Sequence, residues 1–112
     1  MVPRGTGLGV PSAGVNLSEI CFKLWPRVCE FLGIPLDKVH CPSAQEVIPA
    51  LVYIAGGEGS VYIKERNTIY LSYGWSLGML VHEMAHAARY QAYQDESEYW
   101  PVQAEQEVRN GL

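Results

Sequence analysis

An α+β fold is the prediction for this chain, and three features carry it. Leu17, Ile20, Cys21, Leu24, Val28, Phe31 and Leu32 recur at three- and four-residue steps, the period of an amphipathic helix. SVYIK (60–64) and TIYLS (68–72) are short β-branched and aromatic runs separated by ERN, which suggests an antiparallel hairpin. Leu77, Leu80, Val81, Met84, Ala85 and Ala88 then give a second long segment a broad apolar helical face.

The elements follow in order. Residues 1–15 are rich in glycine and proline with almost no apolar period, so they read as a flexible arm. The first helix begins after Asn16, Pro26 should kink it or mark its end, and Gly33 and Pro35 close it. LDKVHC (36–41) suits a short strand. Ser43 followed by Glu46 has the form of a capping box, which predicts a second helix through Val47, Ile48, Leu51, Val52 and Ile54 despite Pro49. Glycines 56, 57 and 59 stop it, and the hairpin follows. Gly74 breaks the second strand, and Ser76 can cap a helix from about Leu77 to Tyr93. QDESEYW is polar and turn-like; Pro101 then fits the first turn of a last helix through Arg109. Residues 16–112 are thus expected to form a single domain.

Composition narrows the function. Nearly half of the 112 residues are apolar (48%), enough to bury a core of this size without a disulfide framework. The formal charge is −4 and the eight Lys and Arg residues are scattered, so no nucleic-acid partner is expected. No apolar stretch approaches the ~20 residues needed to span a bilayer, and the N-terminus lacks the continuous apolar core of a secretory signal. No membrane partner and a cytoplasmic location are the expectations. Cys21, Cys29 and Cys41 lack CxxC spacing and read as buried, reduced thiols.

The chemistry lies in HEMAH, residues 82–86. Residues four apart on a helix are rotated by only ~40° and separated by ~6 Å of rise, so His82 and His86 can reach one metal ion from the same side. Glu83 stands ~100° further round, beside the ion, where its carboxylate can take a proton from metal-activated water as general base. Zinc suits these ligands, lowering the pKa of its water to about neutrality and polarising a carbonyl. Two protein ligands are one short of the usual catalytic set, and Asp95, Glu96, Glu98, Glu105 and Glu107 are the downstream possibilities. Glu105 stands out because it lies on a helix able to fold back across the first, with Glu107 ~200° away from it. Asp95 or Glu98 could orient a ligand histidine from outside the metal shell, or be solvated loop charges. Among the tyrosines, Tyr62, Tyr70, Tyr73, Tyr90, Tyr93 and Tyr99 could include an oxyanion donor; His40 is more readily structural.

HEMAH, 18 intervening residues and then Glu105 resemble the gluzincin metallopeptidases, in which HExxH is followed on a second helix by a glutamate ligand. Short bacterial and phage-type gluzincins are closest in character: a strand like NTIYLS precedes a helix like LVHEMAHAARYQ, and a Glu-x-Glu-Ala pattern often follows. This chain has QAEQ around Glu105 instead. The resemblance covers about residues 60–109. It implies a zincin-like fold, zinc as cofactor, His82, His86 and Glu105 as ligands, Glu83 as base, and a peptide or protein substrate cleaved at an amide bond. Residues 68–72 would form or adjoin the sheet edge that receives an extended peptide. A regulatory or interaction module keeping the zinc site with little proteolysis, or a purely structural metal site, would be the alternatives.

Overall fold

The computed structural model describes residues 16–111; the segment 1–15, expected to be a flexible arm, lies outside them. The first helix, α1 (Leu17–Leu32), starts where the Asn16 side chain accepts a hydrogen bond from the Glu19 N–H at 3.1 Å. It ends at Gly33, whose φ of 71° turns the chain so that the N–H groups of Gly33 and Ile34 bond back to the carbonyls of Glu30 and Cys29. Pro26 neither ends nor splits this helix. Both Pro26 and Phe22, whose carbonyl loses its usual partner, are on the exposed side, where water can serve that carbonyl.

The remaining elements are β1 (Ser43–Val47), α2 (Pro49–Ile54), β2 (Ser60–Ile63), β3 (Thr68–Ser72), α3 (Leu77–Tyr93) and α4 (Tyr99–Arg109). The α+β class stands, with two corrections. LDKVHC is no strand; Leu36–Lys38 forms one tight 3-10 turn and Val39 is extended. Ser43–Val47, expected to open a helix, is instead a strand paired in parallel with β3, and the helix begins only at Pro49, which suits a first turn that has no use for its N–H. Long-range pairing overrides the weak strand propensity of SAQEV. Ser18 of α1 helps fix it, its hydroxyl donating to the Ala44 carbonyl at 3.1 Å and accepting from the Ala44 N–H at 3.0 Å.

The sheet is therefore mixed rather than purely antiparallel, in the order β1-β3-β2, with β2 antiparallel to β3. β3, expected to form or adjoin an edge, is the central strand and adjoins both edge strands, β1 and β2. Ile69 and Leu71, two apart on β3, point together into a core shared with Cys21, Trp25 and Val28 of α1 and Leu80, Met84 and Ala88 of α3. Leu80 and Met84 are fully buried, so truncating either to Ala costs about 2–5 kcal/mol. Among the described residues no helix is long and apolar enough to cross a membrane.

Candidate metal centre

The side chains that could hold a metal ion are set by two helices and the turn between them. Ser76 caps α3 by accepting from the Met79 N–H at 3.2 Å, and the helix then runs unbroken through His82 and His86. Its buried alanines, Ala85, Ala87 and Ala88, leave room for neighbouring elements to pack closely against it. The two imidazoles lie side by side, ring centroids 5.1 Å apart, as the four-residue spacing requires.

Glu98 closes the group. Its Oε1 is 2.9 Å from Nε2 of His82 and 3.2 Å from Nε2 of His86. Glu98 occupies the capping position of α4, yet its side chain makes no capping bond and turns to the histidines instead. α4 starts at Tyr99, two residues before Pro101, which brings Glu98 to the helix end. His82, His86 and Glu98 together can hold a metal ion, with their ligand atoms all within 4.8 Å of one another.

Glu105 is on α4 as expected, but at the other nitrogen of His82: its Oε1 lies 2.9 Å from Nδ1. Its Oε2 accepts from Arg109 at 2.9 Å. The space for it comes from Gly78, one turn before His82, where an added Cβ would stand 3.3 Å from Glu105 Cγ. His82 is thus flanked by carboxylate oxygens at both nitrogens. A carboxylate only accepts, so a neutral imidazole with one N–H would leave a lone pair facing an oxygen on one side. A second proton on the imidazole satisfies both oxygens; so does a cation held by both Nε2 atoms and Glu98, with Nδ1–H donating to Glu105.

Glu83 points elsewhere. It is 7% exposed and accepts a hydrogen bond from the Ser60 hydroxyl, at the start of β2, at 2.8 Å. Burial pushes its carboxyl above the ordinary range, against the lowering effect of Ser60, His86 and His82. Glu83 and the metal group share the wall of a cleft of about 1020 Å³, with Ser60, Val61 and Tyr62 of β2 along one side. Of the tyrosines singled out from sequence, Tyr62 and Tyr90 line this cleft. His40 does not; its backbone is clasped by Gln91, whose Oε1 accepts from the His40 N–H at 2.7 Å and whose Nε2 donates to the His40 carbonyl at 2.9 Å.

The residue that sequence reasoning set aside is Glu98. The spelling Glu-x-Glu gives no signal for it, because it occurs both at Glu96-Ser97-Glu98 and at Glu105-Gln106-Glu107. No protein-family model, curated protein or solved structure matches the chain.

Proposed function

We propose that this chain is a zinc-dependent peptide hydrolase of the gluzincin kind, with His82, His86 and Glu98 as ligands and Glu83 as general base. The observation that carries the reading is the convergence of two Nε2 atoms and one carboxylate oxygen beside a buried glutamate that opens onto a cleft. Ligand atoms at about 2.0–2.1 Å from a tetrahedral zinc lie about 3.3 Å from one another. The Glu98 contacts of 2.9 and 3.2 Å are of that order, and all three ligand atoms lie within 4.8 Å of one another. Nitrogen and carboxylate donors, three in number, suit a catalytic zinc with a position left for water.

Bound there, zinc supplies Lewis acidity and lowers the pKa of a water to about neutrality. Glu83 accepts a proton from the attacking water and returns one to the leaving nitrogen. Glu105 fixes the His82 ring and its tautomer. An extended peptide adds to β2, the edge strand along the cleft, and so lays its carbonyl near the ligands.

Glu83→Gln keeps the shape of the side chain and removes its basicity. Zinc content should match the wild type while hydrolysis of a generic protein substrate falls by about 10²–10⁴-fold. Equal turnover in the two proteins, or a wild-type chain that takes up no zinc and cleaves nothing, overturns the reading.

A further inference from the structure

We propose that Arg89 is a positioning residue for the metal site, holding the connection between α3 and α4 so that Glu98 is aimed at the two histidines before an ion arrives. The inference rests on the metal-site reading above and concerns how a carboxylate outside regular structure can act as a ligand. Glu98 is 68% exposed and sits at the end of the five-residue link 94–98. Such a segment would ordinarily have to order itself at a cost to affinity.

Arg89 lies on α3 one turn past His86, so its guanidinium starts from the same rigid element as the ligands. Its Nε and terminal nitrogen donate to Asp95 Oδ2 at 3.0 and 2.9 Å. The other oxygen of Asp95 accepts from the Ser97 N–H at 2.9 Å, bending the link directly ahead of Glu98. Hydrogen bonding from Ser97 and Arg89 holds the Asp95 carboxyl below the usual range, as expected of a carboxylate fixed in its charged form. The guanidinium also stacks 4.5 Å from the Tyr93 ring and reaches the Trp100 ring at 5.9 Å. Arg89 therefore touches residues before and after Glu98, and Trp100 in turn meets Phe31 of α1 edge-on at 6.2 Å. Lys64 gives the link a second tether through Glu96 at 3.1 Å, but that pair is 36% and 64% exposed against 21% and 22% for Arg89 and Asp95. An exposed pair holds little, so the clasp is assigned to Arg89.

The test is zinc affinity of the full chain, read by competition with a chromogenic chelator, in a cycle of Arg89→Ala, Glu98→Ala and the double variant. Arg89→Ala should weaken zinc binding about 10-fold, the scale for lost outer support of a metal ligand. Arg89→Lys, which keeps charge but not the fork, should fall between. In the Glu98→Ala background the Arg89 change should have no further effect, because the group it aims is gone. Wild-type affinity in Arg89→Ala, or an equal loss with and without Glu98, overturns the proposal while leaving the metal site intact. A wild-type chain that binds no zinc removes the metal site and this role together. Should Arg89→Ala fail to fold, Asp95→Asn replaces it in the cycle with the same expected outcomes.

Discussion

Glu98 and Glu105 stand at opposite nitrogens of one imidazole, each 2.9 Å from His82, one at Nε2 and the other at Nδ1. The two carboxylates hold distinct positions in the site: one shares His86 as well, and the other shares Arg109.

That geometry predicts unequal effects on the metal. Glu105→Ala should lower zinc affinity by about 10–100-fold, the usual consequence of losing a histidine's outer partner. On the proposed assignment Glu98→Ala removes a ligand and should cost more than that. Chelator competition on both variants decides between them, and a larger loss in Glu105→Ala would return Glu105 to the ligand set.

Gly78→Ala should move stability and metal binding in opposite directions. A helical Gly replaced by Ala gains up to about 1 kcal/mol in helix propensity. The new Cβ, however, meets Glu105 Cγ at 3.3 Å, and pushing that side chain back loosens its hold on Nδ1. Thermal unfolding of the metal-free protein should therefore be unchanged or slightly higher while zinc affinity falls. A rise in both would show that Glu105 does not need that space.

The three thiols should react unequally. Cys41 Sγ is 3.9 Å from Cys21 Sγ, and the hydrogen bond the two thiols share holds the Cys41 thiol below its ordinary value. Burial pushes Cys29 up to about 11, and the bond to Cys41 together with burial raises Cys21 further. Thiolate is the reactive form. Alkylation near neutral pH, mapped by peptide mass spectrometry, should modify Cys41 first, and its rate should stop rising with pH at a lower value than for an ordinary thiol. Earlier modification of Cys29 would contradict this.

Much of this was legible because it is local. Period and caps define α1 and α3, and the four-residue step of HEMAH puts two imidazoles on one side of a helix whatever the rest does. What escaped is long-range. Ser43–Val47 carries a cap-like Ser and Glu and few strand formers; only pairing with β3 and the clasp of Ser18 make it a strand. Glu98 escaped for a related reason. A helical carboxylate looked better placed than one in a polar link, but here the link carries the Arg89–Asp95 contact, and Gln94, at φ 54°, turns the chain just before it in a conformation usually left to glycine. Nothing in the residue type announces that turn.

The Ser18 hydroxyl meets both main-chain groups of Ala44, so α1 occupies the outer side of β1. Of the two edge strands, β1 is clasped by α1 at Ala44, whereas β2 lines the cleft. On the proposed reading, a second copy pairing along β2 would compete with a peptide for one row of amides.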